Sequence, residues 1–394
     1  MFEKICIKSK ELNDQKIDIA FLVETMLFYG NVVVLAHRDE LLTLLKFFGA
    51  DLLEELIITG RIDLQIRENK LGAMAFPGKR YNIDLVAGEK ETYSGILYTA
   101  HRQFVNNSLK NNEFSSKFSK ITKPYRYGAE LTEQIRNDFD NQGLLSKVLP
   151  MYLKSVVPEF NLPNVVEIEI KKDKPFESLE SYSLDTNINI DEVNELLKKK
   201  YKENYQPFDF GGLFLSLAEA KGDIYLASQF DSELVTSATS SEIIDLQFKN
   251  IIQRRTQSQD NINLFDEYVL KDCYSIGEAF VNGAVSKKEL LKLFEKADKF
   301  RDWLNNVPDD KNLIGEYHNA VTKETFADKL PTKTSRFIIF EGIGITLDLL
   351  GTGGIGTAIA TGLSAFDSFY LDKLIGGWKP NHFIDKSLKP KIKK

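Results

Sequence analysis

The sequence predicts an α+β protein, with a mixed α/β domain over residues 1–172 and an all-α domain over 173–394 that closes on a glycine-rich helical hairpin. Three observations carry that expectation. Short β-branched runs alternate with leucine-rich helical ones as far as residue 172, and helical periodicity dominates from Pro175 onward. The composition, 43% hydrophobic, 11% aromatic and 27% charged, supplies proper cores and lies far from that of disordered chains. A length of 394 residues leaves room for two domains and excludes a minimal disulfide knot.

The elements follow in order. Asn31-Val-Val-Val-Leu-Ala36 reads as a strand, and Asp39 to Phe48 repeats leucine at helical spacing until Gly49, a helix C-cap. Asp51 opens a second short helix that stops at Gly60. Arg61-Ile-Asp-Leu-Gln-Ile-Arg67 then alternates apolar and polar residues as a half-buried strand does. Further strands are expected at Tyr81–Val86, Gly95–Ala100 and Val165–Lys171. The stretch Ala129–Leu149 is helical, and Pro150, Pro158 and Pro163 mark a surface crossing beyond it. In the second half, Asp191–Tyr205, Gly212–Ala220, Asp223–Val235 and Ser241–Arg255 are helical. Ser286–Val307 is the clearest helix: Ser286-Lys-Lys-Glu289 is a capping box, and Leu290, Leu293, Phe294, Ala297, Phe300 and Leu304 share one face before Pro308. Trp378 and Phe383 are expected to lock the chain end onto this domain. No repeat of fixed period is present.

Charge and cysteine usage narrow the function. A net charge of −6 excludes a strongly basic nucleic-acid coat. Cys6 and Cys273 stand far apart with no CxxC and no neighbouring histidine set, so neither a disulfide framework nor a metal site is encoded locally. The amino terminus carries charges from its third residue and lacks the apolar core of a secretory signal, which points to a cytoplasmic location. Lysine outnumbers arginine heavily, 51 bases including only 11 arginines, which fits an AT-rich bacterial genome. No motif specifies a cofactor, because Walker, GxSxG, HExxH and Rossmann signatures are missing from the plausible positions.

Several constellations remain as candidates for chemistry. The tripeptide Ala-His-Arg occurs twice, each time after an apolar run expected to be a strand, so His37, Arg38, His101 and Arg102 are the catalytic candidates for a phosphodiesterase or nuclease-type site. In that reading the histidines move protons and the arginines clamp an anion. Asp63 or Asp84 with Glu169 and Lys171 offers a second arrangement, two acids for a metal and a lysine to polarise phosphate. Glu219, Asp223 and Asp231 could share a helix face toward a hard cation, although Gly222 interrupts it.

Residues 101–127 hold six bases against Glu113, interleaved with aromatics, and Lys117, Lys120, Lys123, Arg126 and Tyr125 are the candidates for binding nucleic acid or another polyanion. Residues 175–197 hold six acids and no base, so an electrostatic match within the chain or between copies is an equal use for the basic stretch. The segment 335–377 is the least ordinary. It contains an uncharged run from Leu349 to Phe366, with Gly351, Gly353, Gly354, Gly356 and Gly362 and small residues at every fourth position, followed by a lysine-rich tail. A packed soluble hairpin is favoured over membrane insertion, because serine, threonine and glycine dilute its apolarity. The leading functional expectation is an interaction or regulatory protein, acting on a protein partner or a second copy of itself, without metabolic catalysis. A membrane-acting effector that uses the hairpin, with conditional or peripheral membrane association, comes second, and the paired-histidine enzyme third.

Overall fold

A computed structural model describes residues 2–9, 17–69, 71, 74–75, 80–82, 92–176, 179–270, 273–308, 311–322 and 380–392. The chain divides into two compact units, Phe2–Thr256 and Gln257–Lys394, and the division falls inside a long helix. Residue 172, where the sequence suggested a boundary, lies within a strand of the first unit.

The first unit is built on a parallel sheet. Strands β1 (Lys4–Lys8), β2 (Asn31–Ala36) and β3 (Ile62–Arg67) are joined by helices α1 (Ile19–Phe28) and α2 (Arg38–Ile58). After β3 come the short strands β4 (Met74–Ala75) and β5 (Arg80–Asn82), helices α3 (Tyr93–Arg102) and α4 (Ser108–Phe118), and β6 (Lys123–Tyr125). Helices α5 (Ala129–Phe139) and α6 (Gln142–Val156) lead to the hairpin β7 (Ile168–Phe176) and β8 (Leu179–Thr186). Helices α7 (Ile190–Tyr201) and α8 (Gly211–Phe230) then lead to β9 (Glu233–Leu234) and to α9 (Ala238–Val269). The parallel sheet has the order β6-β3-β2-β1-β9, and the smaller antiparallel sheet the order β4-β5-β8-β7. The chain leaves β1 toward β2 on one side and returns to its other side as β9, so the order reverses between β1 and β9.

The central strand explains why this sheet forms. Val32, Val33, Val34, Leu35 and Ala36 are all fully buried, as a β-branched run covered on both faces should be. Cys6, Val33 and Leu35 join a core with Leu131, Ile135, Leu149 and Leu153 of α5 and α6 and Phe214 and Leu217 of α8. Val32 and Val34 point the opposite way by strand alternation, and α1 and α2 pack against β2. Gly49 breaks α2 with φ 74°, so the expected C-cap is a kink after which the helix resumes.

Three further local expectations are corrected. Gly95–Ala100 is helix, part of α3, because Thr92 caps it by accepting the Gly95 amide and its apolar residues Ile96, Leu97 and Ala100 fall on one buried face. Pro150 lies inside α6 rather than after it, and buried Leu149, Tyr152 and Leu153 hold the helix across it. Gly212–Ala220 and Asp223–Val235 are not two helices. They form α8, which runs unbroken through Gly222 to Phe230, and left-handed Asp231 turns the chain into β9, which hydrophobic patterning did not reveal. At Gly212 the close approach is decisive, since a Cβ there would collide with the Tyr152 hydroxyl of α6.

The second unit is helical. It comprises the end of α9, α10 (Ile276–Val281), α11 (Lys287–Asn305), α12 (Leu313–Thr322) and a helical stretch at residues 380–392. The Ser286–Glu289 capping box opens α11 as expected, with Leu290, Leu293, Phe294, Ala297, Phe300 and Leu304 buried. Phe265, Phe300, Tyr317 and Phe383 form an aromatic core, the Phe300 and Phe383 rings 5.3 Å apart, so Phe383 does fasten the chain end. Trp378 and the hairpin glycines Gly351, Gly353, Gly354, Gly356 and Gly362 lie outside the described residues. The architecture is α+β. Among the described residues no helix is long and apolar enough to cross a membrane.

Candidate functional site

In an open parallel sheet, ligands gather beyond the carboxyl ends of the strands, where helix amino termini and loop side chains converge. In this unit the carboxyl ends of β1, β2 and β3 stand side by side, Lys8 opposite Leu35 and Ala36 opposite Ile66. The next residues are Ser9, His37 and, after Arg67, Glu68 and Asn69. His37 caps α2 in an extended conformation, and its amide donates to Glu40 Oε2 at 2.8 Å. The other oxygen, Oε1, accepts the Ser9 hydroxyl and lies 4.0 Å from an Arg67 guanidinium nitrogen. Arg67 is fully buried, and Ser9, His37 and Glu40 nearly so.

A second buried pair sits where the strand order reverses. Lys8 Nζ and an oxygen of Asp223 in α8 are 3.0 Å apart, and Thr236 donates to the other Asp223 oxygen at 2.7 Å. A cavity of about 10 Å³ lies between Cys6, Lys8, Asp223, Leu226, Glu233 and Val235. That is no larger than one water requires. Burial pushes the Cys6 thiol up to about 12, so Cys6 behaves as a small apolar side chain and not as a nucleophile.

The repeated His-Arg dipeptide has two different settings. His101 belongs to α3, not to a strand end. Its Nδ1 bonds Asn111 at 2.7 Å and its ring stacks on Phe114 with centroids 4.2 Å apart. Arg102 closes α3 and is exposed, where a cation complements the helix dipole. His37 and His101 share no described partner, and Arg38 faces Asp39 at 3.6 Å on the half-exposed start of α2.

The acid candidates also part company. Asp63 lies near the amino end of β3, accepting from Gln65 at 2.7 Å and facing Lys123 at 3.5 Å. Glu169 and Lys171 belong to the antiparallel sheet, where they pair with each other at 3.2 Å in solvent. Asp84 lies outside the described residues. Glu219 and Asp223 are buried one turn apart, but Asp231 is the left-handed cap of α8, and no cluster of three metal-ligating side chains occurs among the described residues. A groove of about 830 Å³ runs between the start of α6 and the β7–β8 hairpin, with Glu167, Glu169 and Asp185 on its walls.

The basic segment is turned onto the fold's own acids. Lys117 meets Glu54 at 2.5 Å, Lys123 meets Asp63, and Arg126 meets Glu68 at 3.4 Å. None of these partners comes from the acidic stretch 175–197. Tyr125 is buried and donates to Gln229 at 2.9 Å, while Phe114, Phe118 and Tyr127 are core residues. Lys120 is exposed. Phe104 is exposed, but the other four aromatics that looked interleaved with lysines point inward, and the bases outward.

Sequence reasoning missed Lys8, Ser9, Glu40 and Arg67. A half-buried β3 implied that Gln65 and Arg67 faced solvent, whereas β3 is internal, between β2 and β6, and both residues are buried. The available signal was position: Arg67 ends a strand, and Glu40 stands three residues beyond a helix cap. No protein-family model, curated protein or solved structure matches the chain.

Proposed function

We propose that the protein is a cytoplasmic interaction or regulatory protein that works through its surface, with no metabolic catalysis and with peripheral rather than integral attachment to any membrane. One observation carries this reading: the buried carboxylates Glu40 and Asp223 and the imidazole of His101, which could serve catalysis, are engaged by the fold itself. Glu40 is held by Ser9, the His37 amide and Arg67; Asp223 by Lys8 and Thr236; His101 by Asn111 and Phe114. Groups held in this way fix the fold, and binding is left to exposed side chains.

The position of His37, Glu40 and Arg67 at the carboxyl edge favours a second reading, a hydrolytic centre with His37 as proton carrier and Arg67 as anion partner. One experiment separates the two. The purified full chain and its His37→Ala variant are assayed against phosphate mono- and diesters, with far-ultraviolet circular dichroism to check folding. The interaction reading expects no turnover that the substitution removes. Turnover abolished in a folded His37→Ala protein overturns it and establishes the second.

A further inference from the structure

From Thr92 to Asn112 the chain carries no Asp or Glu. This stretch folds as α3, a short loop and the first turn of α4, which pack together as a helical hairpin. The loop is fixed from beneath. Asn111, buried, bonds His101 at 2.7 Å and donates to the Val105 carbonyl at 3.0 Å, and Asn107 caps α4 by accepting the Lys110 amide at 3.1 Å. At the apex of this fixed loop Phe104 is 49% exposed and Leu109 79% exposed. Arg102 and Lys110, beside them, are also exposed.

Single apolar side chains on a surface are ordinary. Two large ones within six residues, held at an apex by the hydrogen bonds of buried Asn111 and flanked by bases with no acid between them, form a composite surface. Apolar side chains gain by entering the acyl boundary of a bilayer, and lysine or arginine beside them gains from anionic headgroups. We propose that the α3–α4 apex docks on an anionic lipid surface, Phe104 and Leu109 entering the interface and Arg102 and Lys110 pairing with lipid phosphates. This assignment rests on the interaction reading above and names its partner at this place.

Charge complementarity selects lipid over the other polyanion. Leu109, the most exposed of the apolar residues, has no π-face on which a base could stack. A strand of nucleic acid also needs a basic track, and Lys117, Lys123 and Arg126 are already paired with Glu54, Asp63 and Glu68. The nearest acid in sequence, Glu113, follows Lys110 by three residues, one turn further along α4.

The test is flotation of the full chain with vesicles of phosphatidylcholine containing phosphatidylserine, against phosphatidylcholine alone. Binding only to the anionic vesicles, weakened by salt, is expected. Phe104→Ser with Leu109→Ser should weaken it about tenfold or more, and Arg102→Gln with Lys110→Gln about tenfold. All four side chains are exposed, so the variants should fold, and circular dichroism confirms that. Absence of flotation, or flotation unchanged in both variants, overturns the proposal. Binding of single-stranded DNA that is lost with Phe104→Ser but kept with Leu109→Ser also overturns it, in favour of nucleic acid. Failure of the lipid arm without phosphoester turnover leaves the interaction reading standing, whereas turnover that depends on His37 removes the reading beneath.

Discussion

Ala36-His37-Arg38 and Ala100-His101-Arg102 are identical tripeptides with opposite fates. The first leaves strand β2 and opens α2, so its surroundings are the buried carboxyl edge where Ser9, Glu40 and Arg67 meet. The second closes α3, and its neighbours are the exposed apex residues Phe104 and Leu109. The difference shows that the role of a short motif is set by the element that carries it. At the edge, charged and polar groups face one another out of water. At the apex, apolar groups stand in water with no cover.

The strongest way to break this comparison is at the edge. Glu40→Ala would remove a carboxylate that faces buried Arg67 and that accepts from the His37 amide and the Ser9 hydroxyl. Removing one partner of a buried pair costs about 3–5 kcal/mol, because the remaining charge stays desolvated. Urea denaturation followed by far-ultraviolet circular dichroism should show a loss of about 3 kcal/mol in the first unit. Trp303 lies in α11 of the second unit, so the part of the tryptophan fluorescence change that it reports should stay in place. A loss under about 1 kcal/mol would mean that the edge is wetter and less coupled than its burial implies.

Next in size is a pH effect beside the same edge. Burial is the main cause that raises the Cys6 thiol from 9.0 to about 12, with Asp223 adding to it and Lys8 opposing it. A raised folded value means that its contribution is complete below pH 9 and is lost as pH rises toward 12. Wild type should therefore lose stability faster than Cys6→Ala above pH 9, by on the order of 1 kcal/mol per unit. Iodoacetamide should label the partly exposed Cys273 in the folded protein and reach Cys6 only on unfolding. Parallel alkaline curves for the two proteins would show that the thiol is solvated.

Much of this fold was legible in the sequence, for physical reasons that also mark where legibility ends. The β-branched run at Asn31–Ala36 and the capped, amphipathic α11 are local signals, and both stand where periodicity places them. Gly95–Ala100 misled because an apolar run of six serves helix or strand equally, and the deciding signal was the cap at Thr92. β9 has two residues and pairs with a strand more than 200 positions earlier, a contact that no local pattern encodes. The same non-locality hid the edge site. Lys8 and Asp223 come from β1 and α8, and Ser9, Glu40 and Arg67 from the residue after β1, from α2 and from β3, and only the strand order brings each group together.

The smallest expected effects lie at the apex, where they sharpen the contrast. His101→Ala removes a ring stacked on Phe114 and the partner of buried Asn111, so it should cost about 1–2 kcal/mol. Leu109→Ser, eight residues on, removes a side chain that is 79% exposed and buries nothing new, so the same denaturation should move by less than about 0.5 kcal/mol. The pair is informative because both residues belong to one hairpin and differ only in which way they face. A marked loss with Leu109→Ser would mean that the leucine is covered in the folded protein, and the apex would then belong with the edge, as structure that the fold keeps for itself.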